Sequence, residues 1–406
     1  MLVSRVLEDV LCVNGTHLAI RDVKGRKFKV SIITHTFMCG DVVNIEFPIS
    51  TEQDKKWMLE AIRISEKGKS NVPPNPWVGC VIVKDGKKIS EGYHERFGGP
   101  HAEINTIGKH TDLKGSTLYV TLEPCSHIGK TPPCCNALVK HKFKRIVVGI
   151  MDPDPLVAGK GIAYLIGKGV SVTTGTCEKE VRSSLTAYIH HRTHNRPLII
   201  LKVATSLDGR ISHGDGIRWW ITGKATVKDY RTNYRQTSQA ILIGARTALL
   251  DNPRLTVSTG IQPTRVILDG KGVVKFGNVL DCKKAPTTII TSKNVAPETV
   301  EIWKRSGVRI IYADADDRGR MDIEKIINTQ FPDVLQLVVE GGANIHSYFL
   351  KKGYFDILVM YISGKFFGPG SLPIYVESDI ISNLELVSVE KLDSHDFKVI
   401  YKNTRA

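Results

Sequence analysis

Between residues 78 and 361, short apolar segments of strand length alternate with segments whose apolar residues recur at helical spacing. This alternation is typical of α/β proteins, in which helices cover a mostly parallel sheet, and it excludes all-helical and all-β architectures. The chain has 406 residues, more than one hydrophobic core usually supports. The pattern therefore predicts two consecutive α/β domains.

The first 50 residues have a different pattern, with four β-type runs separated by glycine-containing turns. We expect a small β module over residues 1–50, with strands at Val10–Val13, His17–Val23, Phe28–Ile33 and Val42–Phe47. A capping box from Ser50 to Gln53 should start a helix that ends at Gly68 and buries Trp57, Ala61 and Ile64.

The first α/β domain is expected over residues 51–190, where helices should begin at His101, Thr131 and Gly161. Its strands are predicted at Val78–Val83, Ile89–Tyr93, Thr117–Leu122, Arg145–Ile150 and Val170–Thr173. The basic stretch His190–Arg196 is expected to connect it to a second domain over residues 196–406. The strands of that domain are predicted at Leu198–Ala204, Ala240–Ile243, Arg265–Leu268, Thr288–Thr291, Val308–Ile311, Leu335–Val339 and Ile357–Tyr361.

Composition limits where the protein works and what it binds. No apolar run approaches the roughly 20 residues that span a bilayer. The first residues lack the apolar core of a signal peptide, so a cytoplasmic location and reduced cysteines are expected. The formal net charge of +15 favours anionic partners. Because Lys and Arg are spread along the chain without a dense run, phosphorylated small molecules are favoured over nucleic acid.

Two short segments predict a metal site. His101 opens a predicted helix in Gly99-Pro100-His101-Ala102-Glu103, and Cys125 and Cys134 flank the start of another. One imidazole and two thiolates form a three-ligand zinc site whose fourth position stays open for water, the arrangement of a catalytic zinc. One Zn²⁺ per chain is therefore expected, and Cys135, which faces another direction on the helix, is not expected to be a ligand.

Glu103 lies two residues after the histidine, close enough to move a proton between the zinc-activated water and a leaving amine. This combination of H-x-E with P-C is the pattern of zinc-dependent nucleobase deaminases. Those acting on nucleosides and nucleic acids use P-C-x-x-C, whereas Cys125 and Cys134 are nine positions apart. The longer insert indicates a different substrate.

Pro124 to Cys134, with the sequence PCSHIGKTPPC, resembles the bifunctional deaminase and reductase family of bacterial riboflavin biosynthesis. The resemblance runs from about residue 51 to the C-terminus. Segments from Pro74 to Cys80, Gly92 to His94, Asp152 to Gly159, Leu201 to Gly209, Trp220 to Thr222, Asp251 to Thr256 and Glu340 to Gly342 recur in family order.

For the first domain, the resemblance implies a three-layer cytidine-deaminase-like fold. It also implies hydrolytic removal of the pyrimidine 2-amino group of 2,5-diamino-6-ribosylamino-4(3H)-pyrimidinone 5′-phosphate. Asn75 and His94 are expected to contact this substrate. Lys130 and Thr131 are expected near its ribose phosphate, since lysine is a good point charge for phosphate.

For the second domain, the resemblance implies a dihydrofolate-reductase-like α/β fold that uses NADPH to reduce the ribosyl chain of the deaminated product. Lys202 and Glu340 are expected nearest the reacting carbon, with Arg235 and Leu255 also facing the substrate. The glycines after Glu340 permit close approach to a pyrophosphate at a helix start. The residues expected to line the NADPH site are Ala204, Trp220, Thr247, Asp251, Gly342, Ala343, Asn344, Ile345 and His346.

One departure from the family concerns the substrate phosphate. The family usually has an arginine where this chain has Ser258, while Arg218 occupies a position often held by serine. We hypothesise that Arg218 supplies the displaced charge, with Ser258 still at the substrate site. Two alternative functions stay open: a deaminase whose reductase is weakened or inactive, and a nucleic-acid-directed deaminase. The oligomeric state also stays open, with a homo-oligomer as the candidate.

Overall fold

The structure is a computed structural model. It describes residues 10–13, 16–24, 27–33, 42–46, 50–108, 110, 112–129, 132–155, 157–214, 217, 219–314, 321–376 and 383–404. The chain divides into two compact units, Met1–Thr193 and His194–Ala406. Among the described residues, no helix is both long enough and apolar enough to span a bilayer.

The N-terminal strands form a separate antiparallel sheet in the order β1-β2-β3-β4. These strands are β1 (Val10–Val13), β2 (Thr16–Lys24), β3 (Lys27–Ile33) and β4 (Val42–Glu46). All four predicted β-type runs are therefore strands. Each strand pairs with the next one in sequence, which makes the sheet a meander.

The rest of the first unit is built on a five-stranded sheet in the order β6-β5-β7-β8-β9. Its strands are β5 (Gly79–Lys84), β6 (Lys87–Tyr93), β7 (Thr117–Leu122), β8 (Arg145–Ile150) and β9 (Ser171–Thr174). Its helices are α1 (Glu52–Ser65), α2 (Ala102–Ile107), α3 (Cys134–Lys140), α4 (Lys160–Gly167), α5 (Glu178–Ser184) and α6 (Thr186–His194).

Alternation along the strands gives this sheet two apolar faces. Cys80 and Ile82 belong to a core cluster that also holds residues of α2, α3 and α4, including Ala102, Leu138 and Leu165. The intervening Val81 and Val83 are also buried, and α1 packs against β5 and β7. Helices on both faces make the three-layer arrangement that the sequence predicts.

The predicted capping box was displaced by one residue. Thr51, not Ser50, is the N-cap of α1, and its hydroxyl accepts a hydrogen bond from the Asp54 backbone N–H at 3.2 Å. Asp54 also accepts hydrogen bonds from the Tyr119 hydroxyl, at 2.9 Å, and from Arg145. These tertiary partners hold Asp54 at the third helical position. They lie far away in sequence, so the local capping pattern could not reveal them. The helix expected from Thr131 begins instead at Cys134.

The second unit contains a nine-stranded sheet in the order β15-β14-β13-β12-β16-β10-β17-β20-β19. Its strands are β10 (Leu198–Ser206), β12 (Ala240–Gly244), β13 (Thr264–Leu268), β14 (Thr287–Thr291), β15 (Arg309–Tyr312), β16 (Gln336–Gly341), β17 (Ile357–Ser363), β19 (Leu384–Lys391) and β20 (Asp396–Asn403). The short strands β11 (Arg210–Ser212) and β18 (Leu372–Pro373) pair separately.

The helices of this unit are α7 (Lys224–Tyr230), α8 (Ala245–Asp251), α9 (Pro297–Arg305), α10 (Ile323–Gln330) and α11 (Ala343–Lys352). A π-helical turn, Arg231–Arg235, continues α7. Alternate strand residues enter two separate cores: Leu242 and Val266 pack in one, and Ile241 and Ile267 in the other. The parallel strands β12, β16 and β10 are neighbours, so the carboxyl end of β16 lies between two others.

The expected strands of the second domain all form, but β19 and β20 were missed. They follow the last predicted strand, Ile357–Tyr361, and β20 pairs antiparallel with both β17 and β19. The stretch expected to connect the domains is partly helical, because α6 continues to His194.

Candidate active sites

His101, Cys125 and Cys134 come together in the first unit. Their ligand atoms all lie within 4.8 Å of one another. The His101 Nδ1 is 3.5 Å from the Cys125 Sγ and 3.3 Å from the Cys134 Sγ. Tetrahedral zinc, with bonds of about 2.1 Å to nitrogen and about 2.3 Å to sulfur, places such atoms roughly 3.6 Å apart. The donor set and its spacing therefore fit Zn²⁺.

Helix starts place two of these three ligands. His101 is the extended residue immediately before α2, and Cys134 is the first residue of α3. Cys125 follows β7, and its sulfur lies 3.4 Å from the Cys134 backbone N–H. The Cys134 side chain, His101 and this backbone N–H together hold the pKa of Cys125 well below its usual range, despite burial. Thiolate is the form that binds metal.

Glu103 is 3% exposed and lies in the first turn of α2. Burial raises its pKa to about 7, and the nearby His101 opposes that rise. A carboxyl group in this environment can both accept and release a proton near neutral pH, as an acid/base catalyst must.

Cys135 is not part of the cluster. It is fully buried, and its Sγ lies 3.4 Å from the carbonyl oxygen of Pro124 and 3.6 Å from that of Gly161.

His94 lies beside the metal cluster. Its ring contacts that of His101 edge-on, with centroids 5.4 Å apart. The His94 Nδ1 lies 2.9 Å from the Pro100 carbonyl oxygen, and its Nε2 lies 3.1 Å from the Asn75 Nδ2. These partners fit a neutral ring that donates from Nδ1 and accepts at Nε2, and burial also lowers the His94 pKa. Lys130 and Thr131 lie outside the described residues.

Glu123 is a residue of this site that the sequence reasoning missed. Its carboxylate accepts four backbone hydrogen bonds, from Asp152 (3.1 Å), Gly159 (2.9 Å), Gly161 (2.9 Å) and Ile162 (3.1 Å). A Cβ on Gly161 would lie 1.9 Å from the Pro124 carbonyl oxygen. Glu123 therefore fixes the segment that carries Cys125. The available sequence signal was the position of Glu123 directly before Pro124-Cys125, with a glycine downstream, Gly159, that has φ +78°.

In the second unit, Lys202 and Glu340 lie on adjacent strands. Lys202 is in β10 and Glu340 is near the end of β16, one position beyond the paired residues Leu201 and Val339. Glu340 accepts hydrogen bonds from the Arg235 Nη2 at 2.7 Å and 2.8 Å, one to each carboxylate oxygen. Burial lowers the pKa of Lys202, and the Glu340 carboxylate opposes that shift.

Tyr230, which the sequence reasoning also missed, completes this group. Its hydroxyl lies 2.5 Å from the Glu340 Oε1, and the Lys202 Nζ is 4.9 Å from the centre of its ring. Burial raises the pKa of Glu340, but Arg235, Lys202 and Tyr230 more than offset this, so the net shift is downward. No motif marks Tyr230, since the contact depends on packing between α7 and β16.

The turn between β16 and α11 requires glycine. Gly341 has φ +69° and Gly342 has φ +131°, and a Cβ on Gly341 would lie 2.1 Å from the His346 Nε2. The Thr247 hydroxyl donates to the Gly341 carbonyl oxygen at 2.9 Å. This turn leads directly into a ten-residue helix, as the expected pyrophosphate site requires.

The remaining residues expected at the NADPH site differ in exposure. The imidazole of His346 is 3% exposed and Ala343 is also buried, whereas Asn344 is exposed and Ile345 half-buried. Ala204 is half-buried on the same face of β10 as Lys202. Trp220 is 59% exposed, and Asp251, the last residue of α8, interacts electrostatically with Lys202.

Two other residues expected near the substrate, Leu255 and Ser258, differ in their exposure. Leu255 has φ +51° and its side chain is 1% exposed, packed in the core beside Ile243 and Ile267. Ser258 is exposed, and Arg218 lies outside the described residues.

Comparisons with known proteins define the class of each half. Residues 51–150 match the cytidine and deoxycytidylate deaminase zinc-binding region, and residues 197–396 match the RibD C-terminal domain. The molecule thus joins a zinc-dependent deaminase to a reductase. NADPH is the cofactor of the reductase half.

The chain belongs to the RibD family, the bifunctional deaminases and reductases of riboflavin biosynthesis. It is 40% identical to the riboflavin biosynthesis protein RibD of Chlamydia pneumoniae over 332 residues, covering 80% of this chain and 88% of that protein. It is also 40% identical to RibD of Aquifex aeolicus over 324 residues, covering 79% of this chain and 89% of that protein.

Solved structures agree with this assignment. RibD of Acinetobacter baumannii superposes with a TM-score of 0.76 at 32% identity, covering 87% of this chain and 99% of that one. A diaminohydroxyphosphoribosylaminopyrimidine deaminase/5-amino-6-(5-phosphoribosylamino)uracil reductase of Thermotoga maritima also gives a TM-score of 0.76, at 36% identity. It covers 86% of this chain and 99% of the Thermotoga protein.

Proposed function

We propose that the first unit deaminates 2,5-diamino-6-ribosylamino-4(3H)-pyrimidinone 5′-phosphate and that the second reduces the resulting 5-amino-6-ribosylaminouracil 5′-phosphate with NADPH. The observation that carries this proposal is the presence, in one chain, of the His101–Cys125–Cys134 cluster with Glu103 and of the Lys202–Glu340 pair. The Thermotoga maritima relative, which is named for both a deaminase and a reductase activity, supports it.

In the deaminase half, His101, Cys125 and Cys134 would hold one Zn²⁺, which when bound activates a water molecule as the nucleophile. Glu103 takes a proton from that water and delivers it to the departing 2-amino group. Its buried position beside the ligand histidine suits both transfers. Asn75 orients the pyrimidine, and His94 keeps the Pro100–His101 backbone in place while lining the same site.

In the reductase half, bound NADPH supplies a hydride. The Lys202 ammonium donates a proton or hydrogen bond to the opened ribosyl chain as it accepts that hydride, and Glu340 orients the chain. Arg235 holds the Glu340 carboxylate through both of its oxygens. The Gly341–Gly342 turn and the start of α11 would receive the cofactor pyrophosphate, with Thr247 bracing the turn.

The phosphate group of each substrate needs positive charge at its site, which agrees with the formal net charge of +15. Lys130 and Thr131 would contact the phosphate of the deaminase substrate. Arg218 would contact the phosphate of the reductase substrate, in place of the arginine that the family usually has at the position of Ser258. A cytoplasmic location and the oligomeric state remain predictions.

Product analysis with the diaminopyrimidine nucleotide tests both halves. Without NADPH, the purified protein should release ammonia and accumulate the ribosylaminouracil phosphate. Adding NADPH should convert this intermediate to the ribityl product as NADPH absorbance falls. Deamination without any NADPH oxidation would instead support a deaminase with an inactive reductase.

A further inference from the structure

The π-helical turn after α7 brings two residues five positions apart onto the same carboxylate. Tyr230 is the last residue of α7 and Arg235 is the last residue of the turn. The Gln236 backbone N–H donates to the Arg231 carbonyl oxygen at 2.9 Å, which is the i to i+5 hydrogen bond of a π-helix. Five residues of α-helix would separate two side chains by about 140° around the axis. A π-turn, with its wider i to i+5 repeat, places them on one side.

Both side chains use this alignment to bind Glu340. The Tyr230 hydroxyl donates to Oε1 at 2.5 Å, and the Arg235 Nη2 spans both oxygens. The Arg235 Nε adds a longer contact to Oε1 at 3.2 Å. Oε1 thus receives the tyrosine hydroxyl and two arginine donors, while Oε2 receives one.

The Tyr230 ring also contacts both cations of the site. The Lys202 Nζ lies 4.9 Å from the ring centre and the Arg235 Cζ lies 5.2 Å from it. The ring is 4% exposed, so these cation–π contacts are largely desolvated, where such contacts are strongest. One buried tyrosine therefore touches every charged side chain of the Lys202–Arg235–Glu340 group.

We propose that Tyr230 is a positioning residue of the reductase, which fixes the orientation of the Glu340 carboxylate through its hydroxyl and the location of the Lys202 ammonium through its ring. This inference rests on the proposed catalytic roles of Lys202 and Glu340. In those roles, the Glu340 carboxylate and the Lys202 ammonium must be placed relative to each other to within a fraction of an ångström.

The test is Tyr230→Phe in the full-length protein, which keeps the ring and removes only the hydroxyl. We expect the reductase kcat to fall about tenfold, since a hydrogen bond to a charged group is lost. Deamination by the same preparation should be unchanged. The Kd for NADPH, measured by fluorescence titration, should also be unchanged, because Tyr230 acts on Glu340 and Lys202 and not on the cofactor.

The pH profile separates positioning from a purely structural role. The hydroxyl favours the charged form of Glu340, so its loss should raise the Glu340 pKa and move the acid limb of reductase kcat/KM to higher pH. The charged and titratable groups that face Glu340 are Lys202 on β10, Tyr230 on α7 and Arg235 on the π-turn, with Asp251 and His346 next to Lys202. All of these except Tyr230 are retained in the variant.

Tyr361→Phe is the matched control. Tyr361 is a fully buried tyrosine of the same unit, its hydroxyl donates to the Asp229 carboxylate at 2.7 Å, and its ring packs edge-on against Tyr230. The Tyr361→Phe variant also loses a hydrogen bond from a tyrosine hydroxyl to a carboxylate, but this carboxylate belongs to Asp229 and not to Glu340. Both variants should lower the melting temperature, whereas only Tyr230→Phe should change the reductase kcat and its acid limb.

A double-mutant cycle with Glu340→Gln distinguishes an effect that acts through the Glu340 carboxylate from a general loss of stability. Because the hydroxyl acts through the carboxylate, the double variant should be no slower than Glu340→Gln alone. Independent effects that multiply would overturn the inference, as would a Tyr230→Phe enzyme with wild-type kcat and acid limb. If Glu340→Gln and Lys202→Met were themselves as fast as wild type, the proposed reductase site would be wrong instead.

Discussion

The two candidate sites are assembled in different ways. The metal cluster draws its three ligands and Glu103 from two short segments, each at the start of a helix. The Lys202–Glu340 site draws on strands β10 and β16 and on α7 with the π-turn that continues it, three segments that are far apart in sequence. A local motif is visible in a sequence, whereas a site made by packing becomes visible only when the elements are placed.

Their electrostatics differ as well. Around the metal cluster, a buried acid faces one imidazole and two sulfurs, so the metal itself would supply the missing positive charge. In the reductase site, Lys202 and Arg235 already surround one carboxylate. Substitutions at one site should therefore leave the chemistry of the other intact, and the following predictions test that separation.

The largest effect is expected for Glu103→Gln, which keeps the shape of the side chain and removes its acid/base function. Deamination should fall by about 10² to 10⁴-fold, the usual contribution of a general acid/base. Zinc content, measured by atomic absorption, should stay near one per chain because Glu103 is not a ligand, and the reductase rate should not change. Loss of zinc together with activity would show that Glu103 has a structural role.

Lys202→Met is expected to have the next largest effect, because it keeps an unbranched side chain in β10 and removes the proposed proton donor. The reductase kcat should fall about 10²-fold. It is measured from the decrease in NADPH absorbance with the deaminated intermediate as substrate. Ammonia release from the diaminopyrimidine nucleotide is the internal control and should be unaltered. A reductase that remained at the wild-type rate would remove Lys202 from the mechanism.

Arg218→Ala tests the proposed exchange of phosphate contacts. We expect about a tenfold rise in the reductase KM with little change in kcat, since one charge-assisted contact to phosphate is lost. Adding Ser258→Arg, which restores the family's usual arginine, should bring the KM back. An unchanged KM in Arg218→Ala would disprove the hypothesis.

The smallest expected effect is a shift in pH dependence. Burial lowers the Lys202 pKa from its usual 10.5, so the protonated form that donates is lost as pH rises through this lowered value. The reductase kcat should therefore decline on the alkaline side below pH 10.5, while Lys202→Arg, which keeps its charge, should lose that decline. A rate that held level to pH 10.5 in the wild type would mean that Lys202 does not donate the proton.

The fold was largely predictable because most strands of the two α/β sheets, such as β5, β7, β8, β12, β14 and β16, are apolar runs buried on both faces. Every predicted strand of the two α/β domains forms, with ends shifted by no more than two residues. The missed strands β19 and β20 lie at one edge of the sheet, and Leu386, Val387 and Val389 on β19 are all more than half exposed. Such a strand lacks the buried apolar run that marks the central strands of the sheet.

The sites show the same limit at the level of single residues. His101, Cys125 and Cys134 could be predicted because metal binding restricts residue type and spacing. Tyr230 could not, since its role depends on a π-turn and on the register of β16. Glu123 was missed for a similar reason, because its four backbone partners lie 29 to 39 positions away.

Complementation between the two inactive variants tests the central claim of two separate active sites most directly. Glu103→Gln and Lys202→Met are each incubated with the diaminopyrimidine nucleotide and NADPH, alone and then together. Glu103→Gln alone should form little product, Lys202→Met alone should accumulate the deaminated intermediate, and the mixture should form the ribityl product with NADPH oxidation. If the mixture formed no ribityl product although both variants were folded, or if Lys202→Met alone formed it at the wild-type rate, the assignment of the two reactions to these two sites would be contradicted.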